Sequence, residues 1–321
     1  MASLTAGFET VNAQLGLILL PLALDLLLWL GPHVSAQPRQ LLEDTLRWLG
    51  GSLSPADAEI FQALVDSLQQ SLASQTEPIN LLAALSTTPL GVPALLAAQR
   101  PNVTPWGAAP TWLVESYLAY LVLFGALTLI GLLLGALYFG GVAQQVRDAR
   151  IDLGLLLRQV WGDWARITAL ALLAVLATFL VGAPTTVMAL TLGAFSPLLR
   201  DLVGLLGATL VLWVMLFGAF ALPGIVLQRR GLLGAVWDSV RLAQASLPQT
   251  TGLFVAVTLV NLGLGFVWSL PRADSWWLLI GLAGHALVST ALIAATFVFY
   301  KDRYRWWVEM QQALRDQRAA A

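Results

Sequence analysis

The chain alternates long apolar runs with short polar segments rich in arginine. Six runs are long enough to cross a membrane: Val11–Leu30, Trp112–Val142, Ile167–Leu190, Leu202–Leu227, Thr251–Leu270 and Trp276–Tyr300. A helix rises about 1.5 Å per residue, so about 20 apolar residues cover a hydrocarbon core of about 30 Å. The second run exceeds that length and is expected to tilt or to project from the bilayer. The predicted fold class is all-α, a polytopic transmembrane helix bundle of about six spans. It carries interfacial amphipathic helices and a small helical extracytoplasmic insertion. Residues 1–31 hold the first transmembrane segment and 32–111 the insertion. Residues 112–300 hold five further spans with their interfacial helices, and 301–321 a C-terminal amphipathic helix.

Within the insertion, Pro38–Leu49 reads as a short helix. Ser54 as N-cap and Pro55 in the first turn open a second, whose stripe runs through Ile60, Phe61, Leu64, Val65, Leu68 and Leu72. Ile79–Ala98 has no charge, but Pro89, Pro93, Gly91 and Thr87–Thr88 interrupt it, so it is not read as a spanning helix. A full crossing there would turn the N-terminus outward.

Charge then orients the bundle. Of 17 basic residues, 12 fall in three short segments that each follow an apolar run. Short loops rich in Arg and Lys stay cytoplasmic, so six spans place both termini inside. Tryptophan, which favours membrane–water boundaries, marks both ends of the predicted spans; only Trp48 and Trp213 depart from that pattern. The composition, 58% hydrophobic and 11% charged with a net charge of −1, is far from that of a soluble domain. With no basic tract away from the membrane boundaries, no nucleic-acid partner is expected.

Two of the basic segments are similar to each other. GLLLRQVWGDWARI begins at Gly154 and GLLGAVWDSVRLA at Gly231. Each suits a helix lying flat on the membrane, apolar residues toward acyl chains and arginines toward anionic headgroups. Arg158, Arg166, Arg229, Arg230, Arg241, Arg303 and Arg305 are the candidate contacts to inner-leaflet lipid. A third unit, opening at Phe8-Glu9-Thr10-Val11, would make three repeats of interfacial helix plus hairpin.

Few residues could carry chemistry. Asp25, Asn261 and His285 are the polar side chains most clearly placed inside spans. Such groups are costly in a bilayer and face a bundle interior or a wet cavity, so the three form a candidate polar cluster. The plainer alternative gives each a local hydrogen bond, or pairs Asp25 with Arg200 or Arg272. Gly131 and Gly135 form a GxxxG, which lets another backbone approach closely, within the bundle or across a dimer. With no cysteine, two histidines, and no HExxH, P-loop or GxSxG, neither an enzyme, a metal site nor a cofactor is expected.

Leu222-Pro223-Gly224-Ile225-Val226, Arg230-Gly231, Ala235 and Ser239-Val240-Arg241-Leu242 carry a resemblance. The stretch resembles bacterial six-span proteins that include the membrane domain found beside glycerophosphodiester phosphodiesterases. There an inward span ends near a proline, and a surface helix with a small residue and a serine follows. The opening Pro21–Pro32 is similar to multi-pass proteins of environmental bacteria. The resemblance covers the membrane portion and implies architecture and a bacterial inner-membrane setting. It does not imply the phosphodiesterase activity, whose catalytic domain is absent. The reading reached is a non-enzymatic membrane component that binds lipids, another membrane protein or a second copy of itself. The alternative is a small-molecule transporter using Asp25, Asn261 and His285.

Overall fold

The computed structural model describes residues 2–36, 79–99, 101 and 103–320. The amphipathic helices expected at Pro38–Leu49 and after Ser54 lie outside the described residues. Among the described residues, nine helices of eight or more residues follow in chain order: α1 (Ala2–Ala13), α2 (Leu19–Leu30), α3 (Tyr117–Asp148), α4 (Leu153–Gly193), α5 (Pro197–Gly218), α6 (Ala221–Gln228), α7 (Leu232–Ala245), α8 (Leu247–Trp268) and α9 (Leu278–Ala320). Five stretches are helices long and apolar enough to cross a membrane, with α5 and α6 counted together; the count is six if the bent α1–α2 pair is one span. The fold class is the expected all-α bundle, and these helices fit an integral membrane protein.

The bundle has two distinct ends. At one, strands β1 (His33–Ala36), β2 (Ile79–Asn80) and β5 (Thr111–Val114) form a three-stranded sheet in the order β2-β1-β5. β1 is antiparallel to β2 and parallel to β5. A second hairpin, β3 (Val103–Thr104) with β4 (Gly107–Ala108), stands beside it. The described part of the insertion combines these short strands with a 3₁₀ helix (Leu81–Leu85) and one helical turn (Leu96–Gln99), and α3 starts at Tyr117, after β5, rather than at residue 112.

At the other end the basic segments meet. Lys301 Nζ donates to the Val146 carbonyl at 2.7 Å, a cation on the last turn of α3. Arg230 Nη2 donates to Tyr304 Oη at 2.8 Å, tying the end of α6 to α9. Asp152 N-caps α4 by accepting from the Leu155 amide at 2.9 Å, and its own amide donates to Gln144 Oε1 at 2.8 Å.

Three expected boundaries move. The run Val11–Leu30 is not one helix: α1 ends at Ala13, a 3₁₀ turn covers Leu15–Ile18, and the chain bends by 95°. Gln14, at φ −144° and ψ 78°, takes the break in the polar stretch Asn12–Gly16. α1 instead packs on α9, where Gly7 is buried against Ala291 and Ala295; a Cβ at Gly7 would lie 2.7 Å from the Ala295 Cβ. The segment from Gly154 is not a separate surface helix, because Leu153–Gly193 runs without a break. The C-terminal segment is likewise continuous with the last span, as α9 extends from Leu278 to Ala320.

The segment from Gly231 does form its own helix, α7. Its buried face carries Ala235 and Ser239. Ser239, fully buried, donates to the Phe217 carbonyl at 2.6 Å and accepts from the Phe220 amide at 3.0 Å. Those are the backbone groups freed where α5 breaks before α6. Ala235 is fully buried beside Gly224, whose added Cβ would lie 3.3 Å from the Ala235 Cβ. A small residue and a serine four positions apart on one helix face thus close a broken span.

Candidate functional site

Asp25 sits in α2 with no solvent exposure. Its carboxylate accepts from the backbone amides of Leu95 (3.1 Å) and Leu96 (2.9 Å). Those residues belong to segment 79–99, which enters the bundle from the sheet end and returns to it. Asn80 begins the descent, its side chain accepting from the Leu82 and Val34 amides at 3.1 and 3.3 Å. A 3₁₀ helix, Leu81–Leu85, leads down. Ser86 Oγ donates to the Val92 carbonyl at 2.7 Å and clamps the tip, and Thr87 (φ 45°) turns the chain back. A single helical turn, Leu96–Gln99, ends the return arm.

Gly131 and Gly135 are the floor for this segment. A Cβ on Gly131 would meet Thr87 Oγ1, with the Leu85 and Ala84 carbonyls at 2.6 and 2.8 Å. A Cβ on Gly135 would lie 2.7 Å from the Leu90 carbonyl and 2.8 Å from the Gly91 Cα. The two glycines stand near the middle of the 32-residue α3, so the tip reaches about half-way along it. The GxxxG thus packs inside this chain, against a hairpin rather than against a second helix.

His285 closes the site from α9. Its Nδ1 lies 3.8 Å from Asp25 Oδ2, beyond hydrogen-bond reach, and has no hydrogen-bond partner although it is buried. The Trp268 indole, packed over Gly284 while its backbone lies against Gly281, also buries an unpartnered Nε1. One helical turn further out, Trp29 donates to the Ala273 carbonyl at 2.8 Å and meets Trp276 edge-on. Tyr138 donates to Thr290 Oγ1 at 3.0 Å deeper in the bundle.

Asn261 does not join this pair. It lies exposed on the outer face of α8, and the expected three-residue cluster is a cluster of two. Nor does Asp25 reach Arg200 or Arg272, which hold Asp201 (3.0 Å) and Asp274 (2.7 Å) at the surface.

At the basic end the seven candidate arginines divide by their partners. Arg166 holds the buried Asp163 at 3.3 Å, and Arg230 holds Asp238 at 3.3 Å in addition to Tyr304. The Tyr304 hydrogen bond, with the charge of Asp238, pushes the Arg230 pKa further up. These two are committed to the fold. Arg158, Arg229 and Arg305 are exposed and form no ion pair among the described residues. Arg241 lies 4.8 Å above the exposed Trp237 ring, and Arg303 lies 5.3 Å above Phe299. Leu153, Leu157 and Trp161 on α4, with Leu233 and Trp237 on α7, form an exposed apolar margin around them.

Arg229 C-caps α6 in a left-handed conformation at φ 53°. Such a conformation is costly for a residue with a Cβ, and here it ends the buried stretch Ala221–Leu227.

No family model, no curated protein and no solved structure matches the chain.

Proposed function

We propose that the protein is a non-enzymatic, multi-pass component of a bacterial cytoplasmic membrane, with its basic end in the cytoplasmic leaflet and both termini cytoplasmic. It acts by binding anionic lipid at that end. The observation that carries this reading is the division of the arginines. Arg158, Arg229, Arg241 and Arg305 form no ion pair among the described residues and stand at the same end as exposed tryptophan and leucine. A guanidinium at the headgroup level over an indole buried among acyl chains suits a phosphate-bearing lipid. The architecture is that of the six-span bacterial proteins the α6–α7 pattern resembles.

Quantifying phosphatidylglycerol retained through detergent purification tests the reading. R158Q/R229Q/R241Q is expected to lose the enriched anionic lipid, while R200Q/R272Q keeps it. Equal retention in both, or no enrichment in the parent protein, refutes it. One observation favours the transport reading instead: Asp25 and His285 do meet.

A further inference from the structure

We infer that Asp25 and His285 form a proton-binding site that controls the return arm of the 79–99 hairpin. The inference is independent of lipid binding at the basic end. It rests on the fully buried carboxylate, its two amide donors, and the unpartnered Nδ1 poised 3.8 Å from Oδ2.

The Asp25 carboxylate has two amide donors but no counter-ion within hydrogen-bond reach. Burying such a charge is costly unless it is paired. His285 Nδ1 is the only ring or cationic nitrogen among the described residues that stands close enough to pair with it. With Nε2 keeping its hydrogen, one proton taken from water at the sheet end adds to Nδ1. The pair then passes from one negative charge to none, and N–H and carboxylate become donor and acceptor. Closing the gap to hydrogen-bond length needs a movement of about 1 Å.

That movement has a direction. Oδ2 is the oxygen facing Nδ1, and it is also the acceptor for the Leu95 amide at 3.1 Å, the longer of the two bonds. Drawing Oδ2 toward His285 weakens the hold on Leu95 and leaves Leu96 on Oδ1. The hairpin's return arm is thereby coupled to the proton.

Of the elements packed around the pair, α1 carries only Glu9, which is exposed, and the others add no competing charge. Segment 79–99, residues 117–146 of α3, α8, and residues 278–300 of α9 contain no Asp, Glu, Lys or Arg. Asp25 is the only charged residue of α2. The other titratable groups nearby are committed. His33 Nε2 stands 3.3 Å from the Leu28 carbonyl, and Tyr138 is bonded to Thr290. Tyr300 lies at the far end of α9, and Tyr117 and Tyr120 lie at the start of α3. Arg272 and Asp274, in the loop above, neutralise each other.

The test is a pH titration of the full chain in phosphatidylcholine nanodiscs. The ring nitrogens of the two histidines, distinguished with H33Q, are followed by NMR together with the Leu95 and Leu96 amides. The expected result is that the His285 ring and the Leu95 amide shift with one shared midpoint, Leu95 moving more than Leu96. H285Q should abolish the amide shift. D25N, which removes the acceptor facing Nδ1, should uncouple the Leu95 amide from the His285 ring. The proposal is overturned by any of three outcomes: a His285 ring that keeps one state from pH 4.5 to 8.5, a titration that leaves Leu95 still, or an amide shift that survives H285Q. Should D25N fail to assemble, the H285Q result decides alone.

Discussion

Replacing Gly131 with alanine tests whether the GxxxG holds the 79–99 hairpin. The added methyl would meet Thr87 Oγ1 and lie 2.6 and 2.8 Å from two carbonyl oxygens. Two of those three obstacles are backbone, which cannot swing aside, so the hairpin or α3 must move. Overpacking of this kind costs about 1–3 kcal/mol. Gly125, on the same helix with nothing within 4 Å of its added Cβ, supplies the reference. G125A should gain up to about 1 kcal/mol from helix propensity alone, and the same gain at G131A is offset by the clash. G131A should therefore lie below G125A by about 1–3 kcal/mol, a factor of roughly 5 to 150 in the unfolding equilibrium. Reversible unfolding in mixed micelles, followed by tryptophan fluorescence, reads the difference. G135A should behave like G131A, and the double variant should cost less than the sum, since one displacement of the hairpin relieves both contacts. Equal stabilities for G131A and G125A would refute the packing argument. So would a G131A protein whose only change is its oligomeric state, because that result assigns the motif to a dimer.

Removing the carboxylate in D25A strands two buried amides and should cost about 2–5 kcal/mol, with hydrogen exchange of Leu95 and Leu96 rising first. S239A should cost about 1–3 kcal/mol by stranding the Phe217 carbonyl and the Phe220 amide, while the lipid retained in purification stays unchanged. K301M should cost about 1 kcal/mol through the lost cap on Val146, read by the same unfolding assay. A stability equal to the parent's in any of the three would remove that contact from the account.

Long apolar runs made the bundle legible, because a spanning helix must satisfy its own backbone and therefore writes its length into composition. Boundaries were less legible. Continuous helices and separate surface helices share the same amphipathic pattern, so Gly154 onward and Gly231 onward read alike, although one continues unbroken into its span and the other ends at Ser246. The break at Gln14 left only a polar stretch as its trace.

The hairpin at 79–99 illustrates a different limit. Pro89, Pro93 and the threonines correctly exclude a straight helix, but they do not say that the chain still enters the bundle. The signals that could have found it were the buried acid of α2, which needed donors, and the GxxxG of α3, which needed a backbone to receive. Asn261 was misplaced because an apolar helix carries no record of which face turns outward when its moment is negligible. Arg166 and Arg230 looked like their neighbours until their acids, Asp163 and Asp238, were placed beside them.

Side-specific labelling of single-cysteine variants tests the central claim most directly, and a chain without cysteine offers no background. A membrane-impermeant maleimide applied to intact cells should label A98C and T111C at the sheet end. R229C and R303C should react only after the membrane is opened. Labelling of R229C or R303C from outside intact cells, or of A98C and T111C on opposite faces, would contradict the account.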